Sequence, residues 1–275
     1  MNSVFLKPII PQFHCSIIPI GAKPLCSALA SEKKRRLDQA LVAKGLAKSR
    51  QRAQAMIMAG IVLVNDQPAD KPGIRVAGDD AIVLRGNDIP YVSRGGLKLE
   101  AALNAFALDV NGQVCLDVGA STGGFTDCLL MHGAQRVYAV DVGYGQLAWK
   151  LRQDTRVVVI ERTNIRSMPE NAVPSPVDLA TIDVSFISLK IVVPAVLKFL
   201  KKDARILSLI KPQFEVGKSQ VGKGGVVRDS TLHSQVIESL SEFFTKIGLR
   251  CDSVIPSPLL GPKGNREFFI LLQTS

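Results

Sequence analysis

Four charged residues stand beside apolar stretches, where a solvated surface has no call for them. Lys98 follows Arg94-Gly95-Gly96-Leu97, and Asp183 closes the run Leu179-Ala180-Thr181-Ile182. Lys211 follows Arg205-Ile206-Leu207-Ser208-Leu209-Ile210 and precedes Pro212, while Glu267 precedes Phe268-Phe269-Ile270-Leu271-Leu272. A charge at the end of a buried strand costs desolvation unless it is paired. Two ammonium groups and two carboxylates can balance one another. A catalytic set and a purely structural ion-pair network both fit this spacing.

A second group points to a ligand. Val114-Cys115-Leu116-Asp117-Val118 runs into Gly119-Ala120-Ser121-Thr122-Gly123-Gly124-Phe125. A strand, a glycine turn and a helix start make a nucleotide-type cradle, because glycine lets a ligand approach the backbone. No Lys follows Gly124, so the phosphate-loop pattern fails; G-x-x-x-G-G is not G-x-G-x-x-G, so the dinucleotide pattern fails too. Asp117 places a carboxylate near the strand end, which would repel a diphosphate and welcome a cation. S-adenosylmethionine carries a sulfonium and an ammonium but no phosphate, and it fits. The expected cofactor contacts are Asp117, Gly119, Ser121, Gly123, Gly124 and Phe125. Asp141, ending the next strand, is expected on ribose hydroxyls, and Asn164, after the third, on an adenine edge. No metal site is expected: none of the five cysteines forms a C-x-x-C pair, and there are three His in all. Cys115 and Cys128 read as core residues.

These groups need a scaffold. Apolar segments at 114–118, 136–141, 157–161, 178–183, 205–210, 251–256 and 267–273 read as strands. Helical spacing falls near 123–132, 146–152, 189–200 and 230–247. In the last, Leu232, Val236, Leu240, Phe243 and Ile247 share a face, and Asp229 or Ser230 is the cap. Alternation of this kind predicts an α/β fold: a doubly wound, mostly parallel Rossmann-like sheet with its function at the carboxyl ends of the strands.

A different composition precedes it. Residues 33–52 hold eight basic residues against Asp38 alone, a net of +7. Leu37, Ala40 and Leu41 predict a short helix ending near Gly45, and Ser49 caps a second that stops at Gly60. Short strands follow to Leu84. This is a small α+β module with its charge on the helices. The chain of 275 residues carries +10 overall, with 47% hydrophobic and 21% charged residues, and these values exclude a wholly disordered chain. No apolar run approaches the ~20 residues of a membrane helix. The basic balance suggests a polyanionic partner, and a reducing, cytoplasmic setting fits the cysteine usage. Residues 1–31 read as a disordered extension, residues 32–85 as the basic module, and 86–275 as the larger domain after a linker at Ile89-Pro90. Lys34, Arg35, Arg36, Lys48, Arg50 and Arg52 are expected phosphate contacts. Arg94, Lys218, Lys223 and Arg228, in glycine-rich segments beside the four charged residues, are expected to join them. The segment 215–228 is expected to be mobile.

Arg36-Leu37-Asp38, Gly45-Leu46-Ala47-Lys48-Ser49-Arg50, Val62-Leu63-Val64-Asn65 and Lys71-Pro72-Gly73 resemble the S-four type RNA-binding domain. Lys98, Asp183, Lys211 and Glu267 together resemble the Lys-Asp-Lys-Glu tetrad of FtsJ-like RNA 2′-O-methyltransferases. From Arg35 on, the chain resembles the TlyA (hemolysin A) branch of that group. The stretches that carry this are Tyr91 to Leu99, Leu116 to Phe125, Asp183 to Ser188, Ile210 to Glu215, Gly224 to Asp229 and Gly264 to Glu267. The resemblance implies S-adenosylmethionine-dependent methylation of ribose 2′-hydroxyls, with ribosomal RNA or ribosomal subunits as partners. A non-catalytic ribosome-assembly factor and a membrane-lytic hemolysin are the rival readings.

A ribose hydroxyl is a weak acid. An amine takes its proton only when neutral, so a lysine base needs its pKa brought from ~10.4 toward about 7–8. Neighbouring carboxylates oppose that change. Asp183 and Glu267 are therefore expected to orient the lysines, and Lys211 to act as general base or transition-state stabiliser beside Lys98.

Overall fold

The computed structural model describes residues 34–58, 60–84 and 90–274. The expected extension at 1–31, Cys15, Cys26 and the linker at Ile89 lie outside them.

The basic module opens with β1 (Arg35–Arg36), α1 (Leu37–Ala43) and α2 (Arg50–Met58). Ser49 supplies the predicted cap, its hydroxyl accepting from Arg52 N at 3.1 Å. Four short strands follow: β2 (Val62–Val64), β3 (Gln67–Pro68), β4 (Arg75–Val76) and β5 (Ile82–Leu84). β2 lies between β3 and β5, all antiparallel, while β4 pairs back to β1. Leu37, Leu41, Met56, Ile57 and Val62 form the module's own small core.

The larger part begins with α3 (Gly95–Ala105), then β6 (Val114–Val118), α4 (Gly124–Met131), β7 (Arg136–Val140), α5 (Trp149–Arg152) and β8 (Val157–Ile160). It continues with β9 (Val177–Ile182), α6 (Leu189–Val196), β10 (Leu200–Ile210), α7 (Ser230–Lys246), β11 (Arg250–Pro256) and β12 (Phe268–Gln273). The seven strands lie in the order β11-β12-β10-β9-β6-β7-β8, parallel except for β12, which runs antiparallel to β10 and β11. The strand order reverses between β6 and β9, and a crevice opens at such a switch point above the carboxyl ends. This is the predicted fold class.

Alternation along β6 shows how the sheet serves two cores. Leu116 and Val118 face the layer that holds Val192, Leu240 and Phe244; Cys115 faces Leu99, Leu129 and Phe269 on the other side. Cys115 and Cys128 are buried, and burial pushes both thiols up to about 12, so they act as small apolar residues. Three expectations need correction. The buried face of α7 is His233, Val236, Leu240 and Phe244, and Ile247 is exposed; the phase follows i, i+4 spacing from Val236. The predicted helix at 189–200 ends at Val196 with a 3₁₀ turn, and β10 starts at Leu200, five residues early, with a register shift between Leu200 and Arg205. α5 covers only the last four residues of its predicted span.

Candidate active site

The turn after β6 needs glycine at two places. Gly119 has φ +88°, and a Cβ there would sit 2.6 Å from the carbonyl oxygen of Asp183, so only glycine lets β6 and β9 end side by side. At Gly124 a Cβ would run into Ser93 Oγ. Its absence lets the 93–96 segment lie against the start of α4, which in turn places α3 and Lys98. Val92 N donates to Asp127 of α4 at 2.8 Å and fixes the same approach.

The four charged residues of the sequence line one cavity of about 280 Å³ with Gly119 to Thr122, Gly124, Phe125 and Arg94. Each arrives by a different route. Lys98 projects from α3; Asp183 and Lys211 follow the parallel strands β9 and β10. Glu267 precedes β12, whose reversed direction brings its amino end to the carboxyl edge, and Ile210 pairs with Phe268 across that edge. The charges join as two pairs. Lys98 Nζ lies 2.5 Å from Glu267 Oε2, both buried. Lys211 Nζ lies 2.6 Å from Asp183 Oδ1, at 11% and 24% side-chain exposure. Lys211 Nζ also donates to Ser185 Oγ at 3.1 Å. Glu215 braces the loops around this pair by accepting from Ser188 Oγ at 2.6 Å and Leu189 N at 2.8 Å. Burial pushes its carboxyl above the usual range. Ser185 and Glu215 belong to the Asp183-to-Ser188 and Ile210-to-Glu215 stretches but were not singled out; two unremarkable polar side chains leave no spacing signal. Phe186 was missed as well. It is 89% exposed at φ +64°, with its ring 4.8 Å from that of Phe214.

The expected cofactor residues divide. Gly119, Ser121, Gly124 and Phe125 line the cavity. Gly123 turns the backbone just behind it, donating to the Ala120 carbonyl at 2.7 Å. Asp141 accepts from Ser121 N at 2.7 Å and from Gly143 N at 2.6 Å, so it ties the turn to the end of β7. Asp117 is fully buried beneath the turn, where Thr126 and Thr181 hydroxyls donate at 2.7 and 3.1 Å, and it is not among the residues lining the cavity. Burial pushes its carboxyl up to about 7. Asn164 is likewise engaged locally, accepting from Arg166 N at 3.1 Å, and does not line the cavity.

The turn's amides also bear on the ligand. Gly119 N and Ala120 N donate to the Val140 carbonyl, Gly123 N to Ala120, and Ser121 N to Asp141. A phosphate cradle presents such groups to its ligand; here they are already spent. The residues fit a nucleoside cofactor without phosphate, held along Gly119 to Thr122; Asp141, which does not line the cavity either, bears on it through Ser121 N.

The module's cations also divide. Asp38 is fully buried and accepts from Arg36 (3.0 Å), Arg50 (2.9 Å) and Gln54 (2.9 Å). The Arg36 guanidinium beside it holds its carboxyl well below the usual range. Arg36 and Arg50 thus serve the fold first, yet stay 41% and 54% exposed. Arg52 donates to the Tyr91 carbonyl at 2.5 Å and joins the module to the larger part; from Lys34 on the chain is one compact unit. Lys34, Arg35 and Lys48 are exposed, as are Lys223 and Arg228. The side chain of Lys218 lies outside the described residues. Within the glycine-rich segment expected to be mobile, Val226 and Val227 are buried, and Asn265 accepts from Val227 N at 3.0 Å.

Comparison with known proteins adds the following. Residues 91–274 match the FtsJ-like methyltransferase family and residues 35–82 the S4 domain. The chain is 49% identical over 243 residues, 88% of its length and 91% of the relative's, to the 16S/23S rRNA (cytidine-2′-O)-methyltransferase TlyA of Mycobacterium tuberculosis. It is 41% identical to Hemolysin A of Brachyspira hyodysenteriae over 85% of this chain and 97% of that one. A solved structure described as a hemolysin from Streptococcus thermophilus superimposes with a TM-score of 0.71 at 43% identity, covering 88% of this chain and 89% of its own.

Proposed function

Since the chain belongs to the TlyA (hemolysin A) branch of the FtsJ-like methyltransferases, we propose that it transfers a methyl group from S-adenosylmethionine to ribose 2′-hydroxyls of ribosomal RNA. The observation that carries this is the convergence of Lys98, Asp183, Lys211 and Glu267 on one cavity beside the glycine turn. The names of the relatives supply the substrate: 16S and 23S rRNA for the mycobacterial protein, with cytidine as the modified nucleotide.

The cofactor supplies a methyl group made electrophilic by its sulfonium. The protein's own residues do the rest. Asp183 and Ser185 hold Lys211 Nζ at the mouth of the cavity. From there it takes the 2′-hydroxyl proton or hydrogen-bonds the oxygen as negative charge develops. The Lys98–Glu267 pair beside it is neutral in sum, so the site receives an uncharged hydroxyl without repelling a cationic donor. A bound S-adenosylmethionine would supply the methyl group and keep the sulfur it leaves, so the proton left for the protein's own residues to manage is that of the 2′-hydroxyl, beside Lys211. Holding the two reactants in line supplies much of the acceleration.

In the same reading, residues 32–85 are an RNA-binding domain and 86–275 the catalytic domain, acting in the cytoplasm on ribosomal RNA or whole subunits. The exposed Lys34, Arg35, Lys48, Lys223 and Arg228 contact phosphates. The deciding experiment maps 2′-O-methyl positions on ribosomal RNA from cells with and without this protein, and on purified RNA or subunits incubated with it. Loss of a ribose methylation in the cells lacking it, restored in vitro, is expected. No transfer to any ribosomal RNA form would replace this reading with that of an assembly factor.

A further inference from the structure

A cleft of about 940 Å³ opens between α2 and the loop that leads into α5. It shares Ala55, Met58 and Thr122 as walls with the catalytic cavity, so the two adjoin. Among the described residues its charged lining is Lys48, Arg52 and Lys150, with no Asp or Glu. Lys150 pairs with Asp127 at 2.8 Å and is still 55% exposed. Trp149 stands in the cleft wall at 63% exposure. A tryptophan placed so openly gains little for the fold, and its amphipathic ring is of the kind enriched where a partner binds.

We infer that this cleft is the track of an unpaired RNA strand, the stretch flanking the nucleotide that enters the catalytic cavity. The inference rests on the proposed RNA substrate and names where it lies. Lys98 and Glu267 are buried, so a ribose reaches their cavity only when its nucleotide is drawn out of a helix. Its neighbours along the strand must then lie against the surface beside the mouth, and the cleft is that surface. Cations without carboxylates suit a phosphate backbone. An open aromatic face suits a base, which stacks on it whatever its identity. Trp149 takes a base, and Lys48 and Lys150 take the phosphates on either side.

Trp149 is the only tryptophan in the chain, so its fluorescence reports on this cleft alone. Addition of a short single-stranded oligoribonucleotide to the full-length protein is expected to quench it, with the effect weakening as salt rises. Trp149→Ala is expected to lower kcat/KM on ribosomal RNA about tenfold or more, the effect of one lost base stack. Affinity for S-adenosylmethionine, measured by calorimetry, should stay unchanged, and Trp149→Phe should restore part of the activity. Two results would overturn the inference. One is wild-type methylation by Trp149→Ala with no quenching by RNA. The other is quenching by S-adenosylmethionine alone, with weaker cofactor binding and unchanged RNA affinity in Trp149→Ala, which would give the cleft to the cofactor. If the wild type methylates no RNA but is quenched by it, the enzymatic reading fails and the track stands.

Discussion

Two regions of this molecule bury carboxylates among cations and use them in opposite ways. In the amino-terminal module one acid, Asp38, gathers two arginines that remain half exposed. The acid is neutralised and one positive charge is left over, facing water. Around the glycine turn of the catalytic cavity two lysines meet two acids, one to one, and each of the two pairs is balanced. The first arrangement offers a phosphate a fixed cation. The second offers a hydroxyl a set of oriented but balanced groups. A surplus of charge marks a surface for recognition, and balance marks a place for chemistry.

The contrast is tested most sharply at Lys211. Lys211→Ala removes the group proposed to handle the proton while leaving the glycine turn and Asp141 untouched. Methyl transfer is expected to fall by about 10²–10⁴, the range for a lost general acid or base, with calorimetric binding of S-adenosylmethionine retained. A rate within a fewfold of wild type would give Lys211 to the fold.

Unbalancing the other pair should cost stability as well as rate. Glu267→Gln leaves a buried Lys98 ammonium facing an amide, and breaking a buried pair from one side costs roughly 3–5 kcal/mol. Denaturant unfolding should show a lower midpoint and a loss of unfolding free energy of that order. A near-neutral result would mean that Lys98 finds water or another acceptor.

Asp117 and Asp38 should respond to pH with opposite signs. Burial raises the Asp117 carboxyl to about 7, so the folded state holds this proton more tightly than the unfolded one. Its contribution to stability falls as pH rises from about 4 to 7, by up to about 4 kcal/mol at ~1.36 per unit. Asp38 is depressed; its stabilisation is present above about pH 4 and is lost below it. Asp117→Asn should flatten the wild-type decline between pH 4 and 7 in urea titrations, and an unchanged slope would remove Asp117 as its source.

The smallest effect is expected at Asp38. Its arginine partners are half exposed, so solvent screening trims their share. Asp38→Asn should cost about 1–2 kcal/mol, and melting of the isolated change should show it. A loss as large as that of Glu267→Gln would erase the distinction between the two regions.

The tetrad and the glycine turn were legible because each sits at an abrupt change from apolar to charged residues, and strand ends make such changes. The fate of Asp117 was not. Period-two alternation says that it shares a face with Cys115, but not that Thr126 and Thr181 close over it, since Thr181 is 64 residues away. That Arg36 and Arg50 share one buried carboxylate was hidden as well, because local sequence shows their charge and not their common partner. The phase of α7 was missed for a related reason: Phe243 and Phe244 are equally apolar, and only the position of the sheet decides which one is buried.

The direction of β12 carries a further consequence, for folding fidelity. Side chains on a strand alternate between faces, so a slip of one residue in its pairing with β10 would turn Glu267 away from Lys98 and carry Phe269 off Phe125 beside the glycine turn. The register shift between Cys251 and Val254, where β11 meets β12, is the kind of irregularity that pins such a pairing. A chain with that strand misthreaded would lose the Lys98–Glu267 pair and the packing behind the cavity residue Phe125 together. The seating of β12 is therefore one condition shared by the fold's edge and by its chemistry.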